Sequence, residues 1–301
     1  MQISKQKTGG KMKEKFCFML KTYEKDFSNA LRLIKTFNCF NRDNVTIFVV
    51  LPSKSIDDFL LLIDDENNKN IVLIPEEQCP YLVNEDFSKY LTRGYINQEI
   101  VKLWFWELNK CDNYLCLDSD GMFIRDFYIN DFMYSEDVPF TVATEDKEMA
   151  INDDYYHGFW KYRENDIDRI YSILNIEKKK TLSCHGFQII NSLVMEQFKN
   201  KVLEQKGMTY ADILKISPIE FSWYTIFAQN LKDFSFHPCE PFFKCFHTTT
   251  FMCNEIKEGV KLDSIKRSYV GIVVQTNFKY KNLKQKLIIN RWLRKELNGI
   301  Q

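Results

Sequence analysis

Asp118 and Asp120 are two carboxylates whose spacing would let them bind a metal ion together. They directly follow the apolar run at residues 114–117. Side chains two residues apart on an extended segment point the same way, so both carboxylates can face one point beyond the end of the strand. Oxygen ligands of this kind suit Mg²⁺ or Mn²⁺ that bridges phosphates, and Gly121 leaves room for a ligand. The pattern predicts a divalent-cation site for a diphosphate; the alternative is a turn capped by two aspartates.

The elements that must position this pair form an alternating series. Apolar runs rich in β-branched residues predict strands, and stretches with helical spacing separate them, which is typical of a βαβ series with a parallel sheet. The carboxyl ends of such strands are where ligands bind. We predict strands at 16–20, 45–51, 70–75, 114–117, 140–143 and 186–190, helices near 27–38, 55–63, 96–108 and 218–230, and an irregular polar segment at 145–180.

A family resemblance is carried by residues 94–126. The segment Tyr114-Leu-Cys-Leu-Asp-Ser-Asp-Gly-Met-Phe-Ile-Arg-Asp126 resembles the Asp-x-Asp segment of glycosyltransferases with the GT-A fold. The segment Gly94-Tyr-Ile-Asn-Gln-Glu-Ile-Val-Lys-Leu103 resembles the helix before that motif in DUF6492, a family of bacterial polysaccharide glycosyltransferases. The resemblance covers residues 15 to about 250. It implies an α/β fold with a mixed, mostly parallel sheet flanked by helices.

The same resemblance suggests roles for residues near the motif. It implies that Asp118 contacts the ribose of a nucleotide-sugar, that Asp120 binds the metal, and that Ser119 between them belongs to the donor site. Gln98 and Lys102 are four residues apart on one helix face. There Lys102 could pair with a phosphate or with Asp118, and Gln98 could bind a sugar hydroxyl; the alternative is a solvated face.

Two further groups of candidates are less specific. Lys21 and Thr22 end the first strand, where a GT-A sheet receives the nucleotide base, although any loop there would be polar. Glu220 follows Asp120 by about the separation at which inverting GT-A enzymes place the base that accepts the proton of the acceptor hydroxyl. However, Ser217-Pro-Ile-Glu220 also fits a helix-capping box.

The histidines supply candidates for the third metal ligand and the acceptor site. GT-A enzymes often recruit a late histidine as a ligand, for which His247 is the first choice and His237 the second. His185 and Trp160 are candidates for acceptor binding. A zinc site that combines these late histidines with neighbouring cysteines is the alternative, but the cysteine spacing lacks a paired Cys-x-x-Cys. The cysteines concerned are Cys239, Cys245 and Cys253.

Composition sets the wider limits. The 41 basic and 41 acidic residues cancel, which argues against nucleic acid as a partner, whereas ten basic and two acidic residues follow position 260. The nine cysteines have no disulfide-like spacing, and with no secretory leader they indicate a reducing cytoplasm. We divide the chain into a flexible basic tail at 1–14, a GT-A catalytic domain at 15–255 and a basic, largely helical extension at 256–301. That extension could contact an anionic inner membrane from the cytoplasmic side.

The resulting hypothesis is a metal-dependent glycosyltransferase that uses Mn²⁺ or Mg²⁺. The resemblance favours a UDP-sugar donor and a glycan or lipid-linked saccharide acceptor, in bacterial capsule or lipopolysaccharide synthesis. One alternative is a nucleotidyltransferase, which would need a Gly-rich basic phosphate loop that the first strand lacks. The other is a non-catalytic carbohydrate-binding protein, which would leave Asp118 and Asp120 without a metal to hold.

Overall fold

The computed structural model describes residues 13–63, 70–184, 186–274 and 280–297. Its main sheet has five strands in the order β3-β2-β1-β4-β7, of which the first four are parallel and β7 is antiparallel to β4. The carboxyl ends of the four parallel strands therefore lie at one edge. The strands are β1 (Glu14–Lys21), β2 (Ile47–Leu51), β3 (Ile71–Pro75), β4 (Cys111–Asp118) and β7 (Ile189–Asn191).

Helices cover both faces of this sheet. On one face α1 (Phe27–Phe40) buries Leu33, Ile34 and Phe37, which recur at the helical period, against a cluster of phenylalanines. On the other face α3 (Arg93–Trp104) packs with the later helices around a second cluster. Further helices at these faces include α2 (Ile56–Leu62), α7 (Ser192–Phe198), α8 (Tyr210–Ile216) and α9 (Glu220–Gln229).

A smaller sheet continues from the end of β4. It has the order β5-β10-β9, in which β10 is antiparallel to β5 and parallel to β9. Val273 of β10 is level with Gly121 of β5 on one side and with Cys245 of β9 on the other. The start of β5 therefore lies at the same end as the close of β9. These strands are β5 (Gly121–Phe123), β9 (Phe243–Phe246) and β10 (Gly271–Val274); β6 (Phe140–Val142) and β8 (His237–Cys239) form a separate pair.

The predicted strands and the helices of the βαβ series are confirmed, but the prediction of an irregular segment at 145–180 is wrong. A helix, α6 (Lys161–Leu174), forms there after two short turns of helix, α4 (Lys147–Ala150) and α5 (Asp153–Tyr155). Only Ile167, Ile170 and Tyr171 of α6 are buried. Because its apolar stripe is this narrow, tertiary packing rather than composition stabilises the helix.

The carboxyl-terminal part combines a strand of the small sheet with a basic helix. Helix α12 (Leu283–Leu297) buries Ile289 and Trp292 against α10 (Thr249–Lys257), near α11 (Leu262–Ile265). The indole of Trp292 donates to the carbonyl of Val260 at 2.9 Å. The domain limits at 14 and 255 stay predictions, and the tail falls almost wholly outside the described residues. Within the described ranges, every helix is too short or too polar to span a bilayer.

One covalent link was not indicated by the cysteine spacing. Cys17 of β1 and Cys111 of β4 lie on adjacent strands, with their Cα atoms 6.2 Å apart, and form a disulfide. Both side chains are buried in the cluster under α3. The link therefore joins the two strands that carry Lys21 and Asp118 at their ends.

Candidate active site

A cleft of about 1190 Å³ opens at the carboxyl edge of the parallel strands. The ends of β1 and β4, helix α3, helix α6, the start of α9 and the end of β9 all contribute to its wall. Parallel strands present their ligand sites at this edge. Residues from distant parts of the sequence that were singled out as candidates line the cleft together: Lys21, Gln98, Asp118, Ser119, Asp120, Glu220 and His247.

Asp118 ends β4 and is held by two donors. Its Oδ1 accepts a hydrogen bond from Nε2 of Gln98 at 3.0 Å and lies 3.0 Å from Nζ of Lys102. One-third of the Asp118 side chain is exposed. Because Oδ1 has two donors, the carboxylate is fixed in orientation, and a ligand in the cleft meets a preorganised acceptor. Gln98 and Lys102 are thus neighbours of the motif, as their spacing predicted, but they bind the carboxylate itself.

Lys102 is the buried cation of this site. Only 3% of its side chain is exposed, and Nζ lies 3.0 Å from Glu99, 3.0 Å from Asp118 and 3.1 Å from Glu220. The alternative of a solvated helix face is therefore wrong. With three carboxylates around it, Lys102 has little capacity left to bind a phosphate, so pairing with Asp118 is the reading that the geometry supports.

The buried charges shift one another's pKa values. Burial lowers the pKa of Lys102, but the charges of Asp118 and Glu220, together with the contact with Glu99, outweigh burial and raise it well above its ordinary value. Burial raises the pKa of Glu220, but Lys102 and a hydrogen bond with Glu99 outweigh that effect and lower it. Burial and the charge of Glu220 together raise the pKa of Glu99 well above its ordinary range. Lys102 and Glu220 are therefore ionised at neutral pH.

Glu220 is the first residue of α9, not the third residue of a capped turn. The residue before α9 is Ile219, without a side-chain cap, and Ser217 ends α8 instead. The capping-box alternative is thus wrong. Glu220 lines the cleft with 11% of its side chain exposed, bound to Lys102. Its ionised carboxylate meets the first requirement of a base, although the ammonium of Lys102 weakens its basicity.

Asp120 and His247 reach the cleft from the two outer strands of the small sheet. Asp120 immediately precedes β5 and His247 immediately follows β9, at the end where Gly121 and Cys245 are level across β10. His247 is 8% exposed, its Nδ1 lies 3.7 Å from Sγ of Cys245, and its ring contacts that of Tyr155. A glycine is needed at 121 because an added Cβ would lie 2.9 Å from the ring of Phe187.

The donor set at this edge fits a divalent cation. Two carboxylates and an imidazole are ligands that Mn²⁺ accepts, and a diphosphate would complete the coordination. Asp118, Asp120 and His247 all line the cleft. Within the described ranges, no three His, Cys, Asp or Glu side chains are grouped closely enough to hold a metal ion by themselves. A metal held by Asp118, Asp120 and His247 therefore stays a prediction, in which the diphosphate would supply further ligands.

The first strand ends beside Asp118, because Lys21 and Asp118 are in register on adjacent parallel strands. Lys21 is buried, and its Nζ donates to the carbonyl of Thr22 at 2.9 Å and lies 2.7 Å from Oε2 of Glu76. Thr22 is 1% exposed, its Oγ1 has no hydrogen-bond partner, and it does not line the cleft. Lys21 therefore stays a candidate for donor binding. Thr22 could contact a donor only if the residues that bury it moved away.

The remaining candidates lie away from the cleft wall or outside the described residues. His185 lies outside the described residues, and Trp160 is buried and does not line the cleft. His237 stacks on Tyr134 and has its Nε2 2.8 Å from Oγ of Ser235, so it is not near the motif. The described residues contain no cluster that fits the zinc alternative.

Among the charged residues of the cleft that the sequence did not point to are Glu99 and Arg163. Glu99 was considered only as the surface partner of Lys102, because its burial cannot be seen in a helix of low amphipathicity. Arg163 was missed because it lies in the segment predicted to be irregular, although helix α6 brings it to the wall beside Tyr155. A helical pattern of Ile167, Ile170 and Tyr171 was the available signal.

Comparison with known proteins supports the fold. Residues 17–250 match a family described as a family of unknown function, DUF6492. The chain belongs to this family. The match covers most of the chain and contains every candidate of the cleft named above. No curated protein matches the sequence at a significant level.

Solved structures extend the comparison to the fold. The apo structure of the bifunctional glycosyltransferase WbbM is similar over 96% of this chain, with a TM-score of 0.50 and 13% identity, and the chain spans about half of it, 52%. An active-site mutant of LgtC has a TM-score of 0.47 and 12% identity, over 94% of this chain and 99% of that one. Mouse xyloside xylosyltransferase 1 has a TM-score of 0.46 and 8% identity, over 88% and 99%. The likeness to WbbM confirms the predicted GT-A fold.

Proposed function

We propose that this protein is a metal-dependent glycosyltransferase that moves a sugar from a nucleotide-sugar donor to a glycan acceptor. The observation that carries the proposal is the fixed orientation of Asp118 beside Asp120 at the end of β4, in a cleft of about 1190 Å³. The fold, which resembles that of a glycosyltransferase at low identity, supports this reading by analogy.

The donor half of the reaction follows from the ligands at this edge. Asp120 and His247 would hold Mn²⁺ or Mg²⁺, and the metal would neutralise the charge that develops on the departing diphosphate. Asp118 accepts hydrogen bonds through Oδ1 from inside the protein, so its other oxygen is suited to a ribose or sugar hydroxyl or to the metal. Lys21 and Ser119 are proposed to contact the nucleotide. A UDP-sugar is the donor that we favour.

The acceptor half depends on Glu220. Its carboxylate lines the cleft at the start of α9 and is ionised. We propose that it binds the acceptor hydroxyl that attacks the anomeric carbon and accepts its proton. The hydrogen bond from Lys102 already holds the Glu220 carboxylate in place, so Glu220 can receive the proton of the acceptor hydroxyl without moving.

The partner surface that we propose is the exposed face of α12. Leu283 and Leu287 are 70% and 60% exposed, and Lys284, Arg291 and Arg294 share that face. Apolar side chains among basic ones bind anionic bilayer surfaces. Gln285 of α12 contacts Thr249 and Thr250, close to His247 in the cleft. A lipid-linked acceptor at the cytoplasmic membrane, used for a bacterial capsule or lipopolysaccharide, is consistent with this placement.

The function is tested by supplying the purified protein with UDP-, GDP- and CMP-sugars and Mn²⁺, and measuring release of the nucleotide. We expect release from one donor class, loss of that release in EDTA, and loss in Asp120→Ala. Glu107→Gln is the matched control, because Glu107 pairs with a lysine outside the cleft. Release that persists in EDTA and in Asp120→Ala would contradict the proposal.

A further inference from the structure

Glu99 and Glu220 form a pair of buried carboxyl groups around one lysine. Their side chains are 3% and 11% exposed, and they lie 3.0 Å and 3.1 Å from Nζ of Lys102. Asp118 lies 3.0 Å from the same nitrogen, so one buried ammonium is surrounded by three carboxyl groups. Three ionised carboxylates would leave this cluster with unbalanced negative charge, which favours a proton on one of the buried pair; a protonated carboxyl is also a donor to the other.

The position of each group indicates which one carries it. Glu220 opens α9, where the free backbone N–H groups of the helix start favour a negative charge. Glu99 lies inside α3, one turn before Lys102, and is almost fully enclosed. Lys102 also serves Asp118, so its single charge cannot balance three carboxylates. Enclosure, helix position and charge balance all favour the neutral form for Glu99.

We propose that Glu99 is a positioning residue whose protonated carboxyl donates a hydrogen bond to Glu220 and holds that carboxylate toward the cleft. The catalytic purpose of this hydrogen bond rests on the proposed function. The protonation of Glu99 can be tested without any substrate. Glu99 and Lys102 together restrain Glu220, while Gln98 and Lys102 restrain Asp118. Helix α3 thus fixes a donor-side and an acceptor-side carboxylate relative to each other.

The first test is spectroscopic. Infrared difference spectra of protein with ¹³C-labelled glutamate, recorded at neutral pH, report the C=O stretching band of a protonated glutamic acid. We expect this band in the wild type and in the control Glu107→Gln, and its absence in Glu99→Gln. Absence from the wild type, or persistence in Glu99→Gln, would overturn the proposal whatever the enzyme's activity is.

The second test separates positioning from simple packing. Glu99→Gln keeps an N–H donor toward Glu220, so release of UDP from a UDP-hexose should stay within about threefold of the wild type. Glu99→Leu keeps the volume but removes the donor, and because a hydrogen bond to a charged group is lost, turnover should fall by about 10–100-fold. Binding of UDP with Mn²⁺ should be unchanged in both. A Leu variant as active as the wild type, or a Gln variant as poor as the Leu variant, would overturn it.

The two kinds of failure can be told apart. If no donor is turned over, the proposed function fails, while the infrared band still decides the protonation of Glu99. If Glu99→Leu unfolds, which its melting temperature would show, the comparison of Glu99→Gln with the wild type still decides the role. Full activity of Glu99→Gln with loss of the band supports the proposal, and loss of activity contradicts it.

Discussion

Two buried or partly buried clusters each pair a lysine with carboxyl groups, and they differ in charge balance. Lys102, beside the cleft, has three carboxyl groups around it. Lys199 forms its ion pair with Glu107, at 3.0 Å. Both oxygens of Glu107 accept further hydrogen bonds, from the hydroxyls of Tyr81 and Tyr210.

The difference separates a structural ion pair from a functional one. The Glu107 cluster is balanced, surrounded by aromatic rings and outside the cleft, which is what a pair that only stabilises the fold requires. The Lys102 cluster has an excess of buried carboxylate, which costs stability and is retained where it serves a ligand. An unbalanced buried cluster at a strand edge is therefore the stronger indication of a site.

The largest expected effect is on stability, from removing each lysine. Lys102→Met leaves buried carboxylates without their cation, and we expect it to lower the free energy of unfolding by about 3–5 kcal/mol. Lys199→Met removes a partly exposed pair and should cost about 1 kcal/mol or less. Denaturant unfolding of both variants measures the difference. Equal costs would show that the two clusters do not differ as their charge balance indicates.

A second test separates the clusters by catalysis. Glu220→Gln removes the proposed base, and we expect turnover to fall by about 100-fold or more while the fold and UDP binding persist. Glu107→Gln should leave turnover unchanged. Turnover assays together with melting temperatures measure both. If Glu220→Gln turns over at the wild-type rate, Glu220 serves only to balance Lys102.

A third test compares two histidines. His247→Ala should weaken Mn²⁺ binding in the presence of UDP by about 10–100-fold, since losing even a supporting group of a metal ligand costs that much. His237→Ala is the control, because His237 stacks on Tyr134 away from the motif. Electron paramagnetic resonance of free Mn²⁺ reports the affinity. Equal Mn²⁺ affinities in the two variants would show that His247 is not a metal ligand.

The smallest effect is expected at the membrane surface. Replacing both Leu283 and Leu287 by Glu should reduce sedimentation with vesicles of phosphatidylcholine and phosphatidylglycerol by about tenfold or more, since each leucine loses its burial in the bilayer. Leu61→Glu is the control, because Leu61 is 85% exposed on α2, in another part of the chain. If the double variant binds the vesicles as well as the wild type does, this face of α12 does not contact the membrane.

The sequence made the donor side of the site predictable, for reasons that the structure explains. Asp118 and Asp120 follow a strand whose apolar run is continuous, and the helix with Gln98 and Lys102 comes next to it in the chain. Local periodicity and short separation are therefore enough to join them. The same signals located the βαβ series, because strands buried on both faces are uniformly apolar.

The rest of the site depends on contacts that no local pattern contains. Lys102 and Glu220 are 118 residues apart, and only the packing of α9 on α3 brings them within 3.1 Å. The burial of Glu99 follows from that same packing. His247 and Asp120 come to the same end of the small sheet only through the register between β5, β10 and β9, which are far apart in the sequence. Helix α6 escaped detection because its polar composition hides a narrow apolar stripe.

The proposed function requires that Asp120 and its neighbours bind a diphosphate through a divalent cation. Calorimetric titration of UDP into the wild type and Asp120→Ala, each with Mn²⁺ and with EDTA, tests this most directly. We predict binding by the wild type with Mn²⁺ and none in EDTA, with binding by Asp120→Ala equally weak in both conditions. Wild-type binding that is the same with Mn²⁺ and with EDTA, or tight Mn²⁺-dependent binding by Asp120→Ala, would contradict the account.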